Sequence, residues 1–166
     1  MKSPGEITLR PVGDADQDFL LSVYASSRAE EMASVPWTAE QKTSFLKMQF
    51  TAQTEHYRAE HPAASHEVVC VNNVAAGRLY LDRSGGELHI LDLTMLVEFR
   101  NRGAGTTVLR QIMAVAEKSG RPVTIYVESF NPSLRLFERL GFRKAAEQGF
   151  HWLMQWPAEG ADPGTE

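Results

Sequence analysis

Arg100, Arg102, Gly103 and Gly105 stand in the spacing R-x-x-G-x-G, between an apolar run, Leu88 to Leu96, and a helical pattern at Val108, Leu109, Ile112, Met113 and Ala116. A strand, a glycine turn and a helix in that order leave free backbone N–H groups at a helix start, where an anion binds. Glycine lacks Cβ, so the main chain can approach a ligand and take positive φ, and the arginines add charge for phosphate. The chemistry this suggests is a pyrophosphate cradle. A dinucleotide fingerprint would need G-x-G-x-x-G and a P-loop G-x-x-x-x-G-K-[ST], and neither occurs. The plainer reading is a glycine turn that only joins strand to helix.

Around this turn the chain reads as alternating strands and helices. Ile7 to Val12 alternates as a first strand. Asp14 or Asp16 can cap a helix carrying Phe19, Leu20, Val23, Tyr24 and Ser27, which ends near Ala33 before Pro36. Thr38 and Gln41 match a capping box for a second helix to about Glu60, with a stripe of Leu46, Phe50 and Tyr57 and with Gln49 and Gln53 in or beside it. Glu67–Val71 and Val74–Asp82 read as strands joined by Asn72-Asn73, a pair suited to a tight hairpin. Ser84-Gly85-Gly86 turns into a long strand from Glu87 to about Leu96. Gly120 ends the helix after Gly105. Pro122 to Glu128 is a fifth strand, and Asn131 caps a short helix with Pro132 at its first position. Phe142–Glu147 and Phe150–Trp156 close an antiparallel pair. The Pro/Gly-rich stretch from Pro157 reads as a disordered tail, leaving one domain over residues 1–156.

With 166 residues, 43% hydrophobic and 23% charged, the chain can bury a sizeable core. A net charge of −4 without a basic run argues against a nucleic-acid partner. No apolar stretch is long enough to span a membrane, and the first residues lack the apolar segment of a signal peptide. Cys70, the one cysteine, sits in EVVCV and reads as a buried, inert thiol, which fits a reducing cytoplasm. Five scattered histidines without H-x-x-x-H or C-x-x-C predict no metal site.

The order β-α-α-β-β-β-α-β-α-β-β, the R-x-x-G-x-G turn and the later segment NPSLRLFERLGF (131–142) together resemble the GNAT superfamily of N-acetyltransferases. The resemblance covers about residues 5 to 156. It implies an α/β (α+β) fold: a mostly antiparallel sheet of about seven strands, splayed between strands 4 and 5 and flanked by about four helices. The activity implied is acetyl transfer from acetyl-coenzyme A to a primary amine of a small molecule or peptide, by direct attack. The pantetheine arm would pair with backbone around Met95 and Val97. An oxyanion donor would lie near Met95 or Leu96, and the pyrophosphate on amides from Arg102 through Gly103, Ala104, Gly105 and Thr106 to Thr107, beside Arg100. Asn131 would face the cofactor. Family members dimerise, which leaves a homodimer open.

One position departs from the pattern. Phe137 stands where the family often has a tyrosine, commonly assigned as general acid, and phenylalanine cannot donate a proton. Three consequences stay open: water protonates the departing thiolate, the leaving group needs no acid, or catalysis is weak; by analogy with cysteine, whose thiol pKa is about 8.5, the second is favoured. Phe137 would then pack against the cofactor and helix. It is also the main support for an alternative, a non-catalytic acyl-coenzyme A binding or sensing domain. Candidate bases are Asp92, Glu128 and His89. Asp92 lies among apolar residues, as a base with raised pKa or as an arginine's partner. Glu128 ends the fifth strand, as a site carboxylate or a solvated one. His89 has a suitable pKa and would face away from Asp92 unless a bulge breaks the alternation. The resemblance places the acceptor pocket at the first two helices and their joint, with Arg28 for a carboxylate and Glu30 or Glu31 for a cationic amine. Trp37, Gln53 and Tyr80 are further candidates, each with a plainer role as lid or core, border and core.

Overall fold

The computed structural model describes residues 5–157; residues 1–4 and the tail expectation beyond Pro157 lie outside the described residues. Seven strands form one sheet in the order β1-β2-β3-β4-β5-β7-β6. They are β1 (Ile7–Pro11), β2 (Ser65–Val71), β3 (Val74–Asp82), β4 (Leu88–Met95), β5 (Val123–Glu128), β6 (Arg143–Gln148) and β7 (His151–Trp156). Every neighbouring pair is antiparallel except β4 and β5, which run parallel. The helices are α1 (Gln17–Ser27), α2 (Ala29–Ala33), α3 (Ala39–Glu60), α4 (Ala104–Ser119) and α5 (Leu134–Arg139).

Local chemistry explains most boundaries. Thr38 Oγ1 accepts the Gln41 N–H and Gln41 Oε1 accepts the Thr38 N–H, the reciprocal box that starts α3. Asn72 and Asn73 take φ of 49° and 67°, as a tight hairpin turn requires. Asp16 caps in reverse: its carboxylate accepts the Gly13 N–H at 2.7 Å and holds Arg10 at 2.8 Å. The single helix expected up to Ala33 breaks at Arg28, with φ −108° and ψ 3°, into α1 and α2. Ser27 Oγ donates to Tyr24 O at 2.6 Å, the local bonding by which serine competes with helix continuation. Residues Asn131–Ser133 form a turn, with Asn131 Oδ1 accepting the Ser133 N–H, so α5 begins later than Pro132 suggested.

Both faces of the sheet are covered. Val108, Leu109, Ile112 and Ala116 of α4 and Leu134 and Phe137 of α5 pack with Leu79, Leu81, Leu88, Ile90, Ile125 and Val127 in the larger core. At about 1.5–3 kcal/mol per fully buried large side chain, this layer fixes α4 against the end of β4. On the opposite face Leu20 and Tyr24 of α1 meet Leu46 and Phe50 of α3 in a second core. That core roofs the β3 and β4 residues that point away from α4, and polar side chains collect under it.

Candidate active site

Two strands that run parallel here do not stay together. The β4–β5 pairing joins Leu88 with Val123, His89 with Thr124 and Ile90 with Ile125, and ends there. Beyond it β4 continues to Met95 beside β3, and β5 continues to Glu128 beside β7. The result is a V, open toward the C-terminal ends of both strands.

The open edge of β4 can be read from its hydrogen bonds. Leu96 donates its N–H back to Ala76 O at 2.8 Å. Residues 96 and 76 are thus a hydrogen-bonded pair, and the neighbouring pair, Met95 with Gly77, does not exchange bonds. The Met95 N–H therefore points away from β3, into the V. The same alternation turns the Leu93 peptide that way. This corrects the sequence expectation at two residues: the Leu96 amide is committed to β3, and Val97 donates its N–H to Ser26 Oγ at 3.2 Å. Ser26 also accepts from Arg100 Nη2, and Arg100 Nε donates to Met95 O at 3.0 Å. Arg100, expected on a phosphate, instead ties the end of β4 to the end of α1.

Arg102 is the arginine left for an anion: its guanidinium lies 6.0 Å from the Phe99 ring, with no hydrogen bond or ion pair among the described residues. Gly103 takes φ +85°, the left-handed turn that swings the chain into α4. Thr107 N–H and Oγ1–H both donate to Gly103 O at 2.9 Å, so the Thr107 amide is the first bond of the helix and not part of a cradle. The N–H groups of Ala104, Gly105 and Thr106 have no acceptor among the described residues. A Cβ built on Gly105 would meet nothing within 4 Å. Neither packing nor a positive φ calls for glycine there. Three free amides at a helix start are a donor set that suits a phosphate.

On the face of the sheet turned toward α1 and α3, β4 carries a bulge. Tyr80 pairs with Asp92 but Leu81 pairs with Ile90, which leaves Leu91 as the extra residue. Tyr57 donates its hydroxyl to Leu91 O at 3.2 Å. The bulge brings His89 and Asp92 to the same face, where unbroken alternation would oppose them. Asp92 takes the arginine-paired form of its two readings. Its Oδ2 accepts from Arg78 Nε at 2.6 Å, and its Oδ1 accepts from Thr94 Oγ1 at 2.7 Å. Arg78 also donates Nη2 to Gln53 Oε1 at 2.6 Å and lies over the Phe50 ring. Gln53 therefore faces inward rather than bordering solvent.

His89 sits at the vertex of the V, with Nδ1 2.8 Å from Thr124 Oγ1 and its ring against Tyr126 and His61. Burial pushes its pKa down, so the ring is neutral. Glu128 is at the far tip of β5. Counting four residues from the His89–Thr124 pair places it level with Leu93 and Thr94, across the opening. No hydrogen bond or ion pair engages its carboxylate among the described residues.

Of three other candidates, Tyr80 takes its plainer reading as a core residue, and the expectations for Phe137 and Trp37 are corrected. Phe137 is 6% exposed and packs edge-on to Phe142 inside the larger core, which leaves it little surface for a cofactor. Tyr80 is 5% exposed between His66 and Tyr57, a core tyrosine. Trp37 packs on Phe45 and lines a surface hollow with Glu40, Gln41 and Ser44, none of them in β4 or β5. Arg28 and Glu31 do pair, at 3.0 Å, at the α1–α2 break. Sequence reasoning missed Arg78, whose one signal was a lone arginine in the apolar run VAAGRLYL. It also missed Ser26, which nothing local marks.

A family model described as FR47-like protein matches residues 68–152. No curated relative matches the chain. Among solved structures, the chain is similar to the PaiA N-acetyltransferase of Thermoplasma acidophilum in complex with coenzyme A. That match has TM-score 0.68 and 18% identity over 90% of this chain and 98% of that one. It is also similar to the ribosomal-protein-S18-alanine N-acetyltransferase of Escherichia coli (TM-score 0.60, 16%, covering 97% and 99%). A third is a GNAT family acetyltransferase of Elizabethkingia anophelis with acetyl-CoA bound (TM-score 0.57, 17%, covering 90% and 96%).

Proposed function

The chain belongs to the FR47-like family, within the GNAT superfamily, and from that premise we propose that it transfers an acetyl group from acetyl-coenzyme A to a primary amine of a small molecule or peptide. The observation that carries this reading is the end of the β4–β5 pairing at Ile90 and Ile125, with the Met95 N–H turned into the opening. Coenzyme A, when bound, supplies the acetyl thioester. The free N–H groups of Ala104, Gly105 and Thr106, with Arg102, would hold its diphosphate, and the peptide edge at Leu93 would receive its pantetheine arm. Asn131, in the turn after β5, would lie near that arm.

Each remaining role follows from what a residue has free. The Met95 N–H is a fixed donor for the acyl oxygen, the type of group that stabilises developing negative charge. Arg100, by holding Met95 O, keeps that peptide from rotating. Glu128 is the base that takes the ammonium proton, directly or through one water, because its carboxylate is unengaged and level with Leu93. Asp92 is poorly suited to that task, since both its oxygens already accept hydrogen bonds. His89 is held to Thr124 at the closed end of the V. Phe137 can supply no proton, and a thiolate of cysteine-like pKa would need none.

The test is thiol release from acetyl-coenzyme A across an amine panel, with the acetylated amine identified by mass spectrometry. Release matched by N-acetyl product supports transfer. Tight coenzyme A binding without release for any amine would favour a sensing domain, the reading for which Phe137 speaks.

A further inference from the structure

Three buried side-chain nitrogens among the described residues have no hydrogen-bond partner: Arg28 Nε, Arg78 Nη1 and His66 Nε2. All three belong to the wedge between α1, α3 and the β2–β4 part of the sheet. Tyr24 and Phe50 connect the two arginines. The Arg28 guanidinium lies 5.5 Å from the Tyr24 ring centroid, Tyr24 lies 5.5 Å from Phe50, and Arg78 lies 5.3 Å from Phe50. His66 pairs with Tyr80, the neighbour of Asp92 across the sheet.

The wedge has more positive charge than it balances. Arg28 and Arg78 bring two cations. Asp92 is the anion within hydrogen-bond reach of Arg78, and its side chain is 23% exposed. Glu31 meets Arg28 from outside, 59% exposed, where water screens the pair. A buried guanidinium N–H without an acceptor is costly, and folding alone gives no reason to keep two of them. Each is a donor that an acceptor on a ligand would satisfy. With Glu31 left in water, Arg28 and Arg78 face the single carboxylate of Asp92, so a ligand bringing one carboxylate would balance them where a dianionic phosphate would overshoot. The wedge adjoins the reaction end of β4, because Ser26 binds both the Val97 N–H and Arg100.

We propose that the acceptor amine carries one carboxylate, as an amino acid does, and that Arg28 receives it with Arg78 as the inner charge behind it. This rests on the acetyl-transfer reading and names the substrate class for the same site. Arg28, 30% exposed, is the outer donor. Arg78, 1% exposed, is the inner one and also positions Asp92.

The test compares each common amino acid with its carboxamide and with the aminoalkyl phosphonate of matching length. Two readouts are used: thiol release, and calorimetric binding of the N-acetyl products in the presence of coenzyme A. The best carboxylate acceptor should exceed its amide about thirtyfold in kcat/KM, mainly through KM, in line with a charge-assisted hydrogen bond. Its N-acetyl product should bind correspondingly more tightly than the N-acetyl amide. Arg28→Met should cut the ratio below about threefold and Arg28→Lys should restore part of it, with circular dichroism confirming the fold. Equal use of amide and carboxylate, preference for the phosphonate, or an unchanged ratio in Arg28→Met would overturn the assignment. If no amine is acetylated, the enzyme reading fails by itself. The binding arm then still decides: no discrimination between N-acetyl carboxylate and amide refutes the carboxylate site, and discrimination lost in Arg28→Met upholds it.

Discussion

Gly105→Asp should make the protein more stable and nearly abolish coenzyme A binding. Gly105 is the second residue of α4, with open space where a Cβ would go. Replacing glycine there gains a few tenths of a kcal/mol of helix propensity. A carboxylate at the N-terminal end of the macrodipole adds about 0.3–1 kcal/mol. The sum is about 1 kcal/mol, or about 2–4 °C in Tm for a chain of this size. Binding moves the other way. The new carboxylate takes the position of the diphosphate and competes for the amides of Ala104, Gly105 and Thr106. Losing two charge-assisted bonds at about 1.5–3 kcal/mol each weakens affinity on the order of a hundredfold or more. Thermal unfolding and isothermal titration with coenzyme A read both quantities on one preparation. Because the signs are opposite, a folding defect cannot imitate the result. Gly103 would be a poorer probe, since its φ of +85° would add strain to any substitution. Affinity within threefold of wild type would show that the diphosphate does not rest on the start of α4.

Other positions give separate tests. Glu128→Gln should lower kcat about 10²–10⁴-fold while the coenzyme A dissociation constant stays within twofold, measured by stopped-flow thiol release and calorimetry. Arg100→Met should lower Tm and kcat together because it frees the Met95 carbonyl and Ser26, whereas Arg102→Met should leave Tm unchanged and weaken coenzyme A most at low salt. Burial holds the His66 pKa down at about 4, against 6.5 unfolded. The unfolded state therefore binds the extra proton first, and the stability present above pH 6.5 is lost as pH falls toward 4. Urea unfolding should show stability falling from pH 7 to pH 5 through this residue, a loss absent in His66→Phe.

What the sequence disclosed was local. Thr38 and Gln41 announced α3, Asn72-Asn73 announced the β2–β3 hairpin, and Gly103 announced the turn into α4, because each acts through bonds to residues a few positions away. The β4 bulge left no such mark, since Leu91 is an ordinary strand residue whose carbonyl is held by a tyrosine 34 positions earlier. Arg100 looked like a phosphate ligand by spacing. Its real partners, Met95 O and Ser26, required the packing of α1 on the end of β4. Asp92 and Arg78 lie 14 residues apart and meet because the β3–β4 register brings them side by side. The helix break at Arg28 arises where serine side chains compete with the backbone, a balance that helical periodicity does not register.

Amide chemical-shift mapping by NMR during titration with coenzyme A addresses the whole arrangement at once. The largest changes should fall on the N–H groups of Ala104, Gly105, Thr106, Leu93 and Met95, while Leu96 and Thr107, already bonded within the protein, move less. Saturable binding that leaves those five amides unmoved would mean that the cofactor enters elsewhere.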